Sequence, residues 1–142
     1  LLISSTHLSK LLSNEKIYDY DYMNKLPRIT KKILSKGGMW FGGPQNLQLF
    51  EDKIIDVFIT ISSLQEMPTK QVNSYLRIIN RKTRGLFYTL QYWENKQLSS
   101  EFGVIRGIKD YKFPPEWRRR YVRNTTFSER YFEAAFSIPN NY

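Results

Sequence analysis

The sequence predicts an α/β fold in which parallel strands are joined by helices. The strongest indication is the order within residues 54–91, where an apolar run at 54–61 is followed by a polar loop, an amphipathic stretch and a second apolar run at 86–91. Both runs are rich in β-branched and aromatic residues at successive positions, which is typical of strands covered on both faces. Strand, helix and strand then form one βαβ unit with a right-handed crossover.

The helix of this unit is predicted from its start and stop signals. Pro68 suits the first turn, and the apolar residues from Val72 to Ile79 recur at the spacing of one helix face. Cations near residues 80–82 suit a helix end, and Gly85 just beyond them is expected to allow a left-handed turn.

Shorter elements are predicted on either side of this unit. They are a helix up to about residue 12, a short strand at 16–20, a helix at 28–35, an extended segment at 39–41 and strands at 117–123 and 131–138. The last two strands are separated by a connection suited to a hairpin, and 131–138 is apolar enough to lie between other strands. Residues 93–116 carry no sustained period and are expected to form a long excursion.

Composition argues against several kinds of site. The chain of 142 residues has no cysteine and a single histidine, so disulfides, thiolate catalysis and Cys- or His-ligated metal sites are not expected. No apolar run reaches the roughly 18 residues of a membrane-spanning helix, and the N-terminus lacks the order of a signal peptide. We therefore expect a single cytoplasmic domain that needs no metal to fold.

The chain is basic, with 22 Lys and Arg against 13 Asp and Glu and a net charge of +9. This balance admits a polyanion partner, and the charge is concentrated only at Arg118, Arg119 and Arg120, which have aromatic neighbours. These arginines could hold an acidic or phosphorylated ligand, contact nucleic acid, or form one solvated face of an edge strand. No known nucleic-acid-binding motif accompanies them, so we expect the solvated edge strand and keep polyanion binding as the alternative function.

Three stretches of the sequence carry a resemblance to a known family. Residues 56–67 (DVFITISSLQEM) look like the fourth strand and the following loop of the sugar O-methyltransferases, within the class I methyltransferases. Residues 85–91 (GLFYTLQ) are similar to the fifth strand of that family, and residues 131–136 (YFEAAF) look like its seventh, antiparallel strand. The resemblance covers about residues 16–138 and is thin between 93 and 116.

The resemblance implies S-adenosylmethionine as the cofactor and a sugar or glycoside hydroxyl as the acceptor. In that family a glycine-rich loop after the first strand and an acidic residue ending the second strand hold the cofactor, and neither motif is found here. The resemblance therefore implies one partial domain over residues 1–142, the C-terminal portion of a Rossmann-like methyltransferase sheet that ends in an antiparallel hairpin. Without its N-terminal, cofactor-binding half, the isolated chain is expected to be inactive.

Candidate ligand contacts follow the two central strands, because ligands of open α/β sheets bind beyond the carboxyl ends of the strands. Their hydroxyl, amide and aromatic groups suit a cofactor or a sugar, although amides can equally be solvated and aromatics can instead close the core. We assign cofactor contacts to Ser62, Ser63 and Gln65, and substrate contacts to Gln91, Tyr92 and Trp93.

A base is also needed, because methyl transfer to a hydroxyl requires a group that accepts its proton. Glu66 is the first candidate, and the competing interpretation is that its carboxylate favours the N-terminus of the helix beginning at Thr69. His7 is the second candidate, and the competing interpretation is a surface or capping histidine of the first helix.

Overall fold

The computed structural model describes residues 2–12, 14–94 and 107–140, and it has two compact units, residues 1–54 and 55–142. The helices and strands in chain order are α1 (Leu2–Leu11), β1 (Ile17–Tyr18), α2 (Tyr20–Asn24), α3 (Lys31–Leu34), β2 (Met39–Trp40), β3 (Ile55–Ile61), α4 (Thr69–Lys82), β4 (Thr83–Tyr92), β5 (Arg118–Asn124) and β6 (Tyr131–Ser137). The predicted α/β class is confirmed. Residues 95–106 of the predicted excursion lie outside the described residues.

The first unit contains a small parallel sheet of β1 and β2. Tyr18 pairs with Trp40 across this sheet, and their rings are stacked with centroids 3.9 Å apart. Gly37 and Gly38 have φ angles of 69° and 89° in the turn that leads into β2, a left-handed conformation that glycine adopts at little cost.

The helix predicted at residues 28–35 is shorter than expected. Thr30 is the N-cap of α3, and its hydroxyl accepts the N–H of Ile33 at 3.3 Å. The helix therefore begins at Lys31, three residues later than predicted. The residue before the cap, Ile29, is fully buried and forms a parallel bridge with Phe50, which holds it in extended conformation.

The second unit is built on a four-stranded sheet with the order β3-β4-β6-β5. β3 and β4 are parallel neighbours joined through α4, while β6 runs antiparallel to both β4 and β5. This confirms the predicted βαβ unit and places the apolar β6 between two other strands, as expected. β5 forms an edge with its arginines exposed, which confirms the solvated edge strand.

The core of this unit lies on one face of the sheet. α4 packs on β4 through a buried apolar face that includes Leu76 and Ile79. Beside this helix, the ring centroids of Trp117 and Phe87 lie 4.9 Å apart, and Phe87 is fully buried. No described helix is long and apolar enough to cross a membrane.

The opposite face is open along β3, so the prediction that β3 is covered on both faces is wrong. Val57, Ile59 and Ile61 keep 50%, 60% and 57% of their surface exposed. The physical reason is that β3 is an edge strand, paired only with β4 in the described part of the chain, and α4 covers only the other face.

Gly85 serves a different purpose from the predicted left-handed turn. It lies inside β4, which begins directly after α4, and only Gly37 and Gly38 have positive φ among the described glycines. A Cβ at Gly85 would come within 2.4 Å of the carbonyl oxygen of Asp56. The glycine is needed because the backbones of β3 and β4 approach closely at the register irregularity between Ile55 and Val57.

A polar cluster ties β4, β6 and β5 together on the open face. Arg123 Nε donates to Glu133 Oε1 at 2.6 Å, and the Tyr88 hydroxyl donates to Glu133 Oε2 at 2.8 Å. The hydrogen bond from Arg123, followed by that from Tyr88, lowers the pKa of Glu133 below its ordinary value of 4.5. Burial and then the Glu133 carboxylate raise the pKa of Tyr88 to about 12.

The lowered pKa of Glu133 predicts a pH-dependent contribution to stability. The contribution is present above the ordinary pKa of 4.5 and is lost as the pH falls through the lowered folded-state pKa. Urea unfolding should therefore show that Glu133→Gln reduces the free energy of unfolding at neutral pH, and that the difference from wild type narrows in acid. Glu129→Gln, at an exposed position in the same hairpin, is the control. A difference for Glu133→Gln that does not change with pH would contradict this account.

Candidate functional site

The carboxyl ends of β3 and β4 meet at one edge of the sheet, where β6 begins. The loop after β3 contains Ser62, Ser63 and a single 3-10 turn, Leu64–Glu66. β4 ends at Tyr92, which pairs directly with Tyr131 at the start of β6. Several predicted site residues therefore lie together at the edge where ligands of open α/β sheets bind.

Two glutamines fasten the loop to the end of β4. Gln91 Oε1 accepts the backbone N–H of Gln65 at 3.3 Å, and Gln65 Oε1 accepts the backbone N–H of Tyr92 at 2.7 Å. Gln91 Nε2 lies 3.1 Å from Thr89 Oγ1 and 3.4 Å from Thr60 Oγ1. Each glutamine side chain thus accepts a hydrogen bond from a backbone N–H in the segment that contains or adjoins the other glutamine.

These contacts differ from the ligand-binding roles predicted for the two glutamines. Gln65 is 3% exposed and Gln91 is 0% exposed, and both side-chain carbonyls are engaged inside the protein. A buried amide must find partners, because leaving one unsatisfied costs about 1 to 3 kcal/mol. The structure gives Gln65 and Gln91 a positioning role beneath the site.

Ser62 makes a sharp turn at the end of β3. Its φ of 52° is left-handed, which is uncommon for a residue other than glycine. The turn is held because the Ser62 N–H donates to the Leu90 carbonyl at 2.8 Å. Next to it, Ser63 is exposed, with its Oγ 2.9 Å from Thr60 Oγ1. Strained backbone of this kind is found at functional sites, where the surrounding structure holds it in place.

The aromatic candidates separate into two environments. The Tyr131 hydroxyl donates to the Tyr92 hydroxyl at 2.9 Å, and the two rings stack 4.4 Å apart. This hydrogen bond is the main reason that the pKa of Tyr131 is raised. The ring centroids of Trp93 and Phe132 lie 5.2 Å apart, and Phe132 is fully buried. Trp93 therefore packs against the core, whereas Tyr92 lies at the carboxyl edge of the sheet.

Glu66 remains an exposed carboxylate at the end of the loop. Pro68 is the N-cap residue of α4 and makes no side-chain capping hydrogen bond, and Glu66 lies two residues before it, so the interpretation of Glu66 as a favourable charge near the helix N-terminus remains an alternative. His7 is an exposed residue of α1 in the first unit, whereas Glu66 belongs to the second unit. Glu66 is thus an exposed carboxylate at the carboxyl edge of the second unit.

Asp19 is an acidic residue of the first unit that was not among the predicted site residues. It directly follows β1, and its Oδ1 accepts the N–H of Tyr22 at 2.8 Å, which caps α2. The sequence showed no acidic residue ending a second strand, whereas the structure places exposed Asp19 at the end of a parallel strand. The signal that could have revealed it is an Asp followed by a short helical stretch, as in an N-cap.

Comparison with known proteins finds similarity in structure only. No protein-family model matches the chain, and none of the curated proteins compared matches its sequence. The PH0226 protein from Pyrococcus horikoshii OT3 superposes with a TM-score of 0.58 and 12% identity, over 92% of this chain and 87% of that chain. A protein described as a "putative type 11 methyltransferase" from Sulfolobus solfataricus superposes with a TM-score of 0.53 and 12% identity, over 96% of this chain and 92% of that chain. The chain thus shares the fold of a protein described as a methyltransferase.

Removing the Gln91 amide should loosen the loop after β3. Gln91→Leu is close in size but leaves the buried Gln65 N–H without its acceptor and removes the Gln91 hydrogen bonds to Thr60 and Thr89, so we expect a loss of about 1 to 3 kcal/mol in the free energy of unfolding. Urea denaturation measures this loss. Gln71→Leu, at an exposed position of α4, is the matched control and should change stability by less than about 0.5 kcal/mol. Equal effects of the two substitutions would contradict the positioning role.

Proposed function

We propose that this chain is the C-terminal part of an S-adenosylmethionine-dependent O-methyltransferase that acts on a sugar hydroxyl. The observation that carries the proposal is the β3-β4-β6-β5 sheet, parallel at β3 and β4 and antiparallel at the hairpin, in a fold shared with a protein described as a type 11 methyltransferase. The oxygen acceptor and the sugar are supported by the resemblance of residues 56–67 and 85–91 to the sugar O-methyltransferases.

The open side of β3 supports the view that the domain is partial. Val57, Ile59 and Ile61 are all at least half exposed on one face of an edge strand. Burying an aliphatic side chain of this size is worth about 1.5 to 3 kcal/mol, so a further segment that covers β3 would be strongly favoured. Because the two similar structures are matched over most of their own chains, the case for a missing half rests on this open strand and not on them.

The residues present fit part of an S-adenosylmethionine site. Ser62 and Ser63 bring hydroxyls to the carboxyl edge of the second unit. No glycine-rich loop with phosphate-loop or dinucleotide spacing occurs in the sequence, so the remaining contacts would come from the absent half. When bound, the cofactor supplies a methyl group carried on a sulfonium.

Two tasks fall to this chain's own residues. The glutamine pair fixes the loop that presents Ser62 and Glu66, which helps to orient an acceptor hydroxyl in line with the methyl group. A carboxylate oxygen of Glu66 would accept the proton that the acceptor hydroxyl loses on methylation. The exposed position of Glu66 at the carboxyl edge supports this role.

A second function is favoured by one specific observation. Arg118, Arg119 and Arg120 are all exposed on edge strand β5, in a chain with a net charge of +9. Such a strand could bind RNA or another polyanion, with an affinity that falls steeply as salt is raised. The methyltransferase proposal explains more of the chain, because it also accounts for the strained loop and the sheet order.

The proposal predicts weak cofactor binding by the chain as it stands. Calorimetry with S-adenosylmethionine on the 142-residue chain should detect no micromolar binding, because half of a nucleotide pocket makes only part of the contacts. Restoring the upstream half should restore binding and turnover. Micromolar binding by the chain alone would count against the partial-domain proposal.

In the restored protein, Glu66→Gln should lower kcat by roughly 100-fold or more while leaving the Kd for the cofactor nearly unchanged. The reason is that a base acts in the transition state and contributes little to cofactor binding. Single-turnover kinetics and calorimetry measure the two quantities, with Glu129→Gln as the control. Unaltered kcat would remove Glu66 from the reaction and leave His7 as the remaining candidate base.

A further inference from the structure

The carboxyl edge carries an aromatic surface that extends beyond the predicted contact Tyr92. We call it the aromatic ledge, and it consists of Tyr92, Phe127 and Tyr131. Tyr92 and Tyr131 stack 4.4 Å apart, and Phe127 lies 5.9 Å from Tyr131 at an interplanar angle of 47°. Phe127 is 69% exposed, so it is not a core residue.

The turn that carries Phe127 is held by hydrogen bonds. Thr125 Oγ1 donates to the Ser128 carbonyl at 2.6 Å and accepts the Ser128 N–H at 3.2 Å. These two bonds close the segment on either side of Phe127. A single exposed apolar side chain needs no explanation, but here the exposed ring is fixed beside two further rings at the edge where ligands bind.

A row of hydroxyls borders the ledge. The Tyr131 hydroxyl donates to the Tyr92 hydroxyl at 2.9 Å, and the nearby Ser62 side chain acts to lower the pKa of Tyr131. Ser62 is held at the end of β3 by its left-handed turn, so the row begins next to the proposed cofactor contacts. Each hydroxyl can both donate and accept a hydrogen bond.

We propose that the aromatic ledge binds the acceptor as a neutral hexopyranoside. Phe127 would stack on the C–H face of the sugar ring, and the hydroxyl row would bond to the sugar hydroxyls, since a pyranose has one apolar face and a polar rim. This inference rests on the proposed function, because it identifies the acceptor site of the same reaction. It assigns Phe127 and Tyr131 to substrate binding beside Tyr92.

Direct binding of simple glycosides to the 142-residue chain tests the ledge without requiring methyl transfer. Methyl β-D-glucopyranoside and methyl α-D-mannopyranoside are titrated while protein amide shifts are followed by NMR. At least one of the two should shift the amides of the ledge, and Phe127→Ala should weaken that affinity by about 5- to 10-fold. Tyr131→Phe, which keeps the ring and removes the hydroxyl, should weaken it by a smaller factor.

Two controls separate the ledge from general effects of the substitutions. Leu11→Ala removes an apolar side chain of similar exposure, 64%, from α1, and Tyr88→Phe removes a hydrogen-bonded phenol hydroxyl away from the edge. Both should leave the affinity unchanged. Absence of any shift with both glycosides, or equal weakening by Leu11→Ala and Phe127→Ala, would overturn the inference.

The outcome is distinguishable from failure of the proposed function. If the restored enzyme methylates sugars and Phe127→Ala leaves its KM unchanged, the ledge is wrong and the methyltransferase stands. If glycosides bind the ledge with the expected dependence on Phe127 but the restored protein transfers no methyl group, binding by the ledge stands and the proposed reaction fails.

Discussion

The exchange of hydrogen bonds between Gln65 and Gln91 is the constraint on which the carboxyl edge depends. Each side-chain carbonyl accepts a backbone N–H from the other's segment, and both side chains are buried. A loop of hydroxyl and carboxylate residues would otherwise be free to move at the end of an edge strand. The glutamine pair converts it into a fixed platform, on which the turn at Ser62 and the exposed Glu66 have defined positions.

The sheet beneath this platform is covered unequally. One face is filled by α4 and by aromatic residues such as Trp117, whereas the other presents Val57 and Ile59 to solvent at its β3 edge. In the described chain, the apolar strand β3 thus lies at an edge of the sheet with only one of its faces covered. The unequal coverage connects the fold to the proposal, because a further segment placed against β3 would complete both the core and the ligand-binding edge.

Much of the second unit was predictable because hydrophobic patterning is strong there. The apolar runs identified β3, β4 and β6, and the helix signals identified α4, so the βαβ unit and the hairpin followed from residue types alone. The coverage of β3 could not be predicted, because burial depends on what lies beside a strand. Gly85 was misinterpreted for a similar reason, since its purpose is the approach of the Asp56 carbonyl from a neighbouring strand.

The location of the candidate site was easier to predict from the sequence than the role of each residue in it. The rule that ligands bind at the carboxyl ends of parallel strands selected Gln65 and Gln91 together with Tyr92. A glutamine in a sequence does not reveal whether its amide faces solvent or a backbone N–H, so the positioning role became visible only in the structure. Phe127 escaped notice because it lies in a hairpin connection, far along the chain from the strands that define the edge.

The central claim is that the glutamine pair holds the loop rigidly against β4, and amide hydrogen exchange tests it most directly. The account predicts that the backbone amides of Gln65 and Tyr92 exchange as slowly as the paired amides inside β4, because both donate to buried side-chain carbonyls. Exchange of these two amides at the rate of exposed loop residues would contradict it.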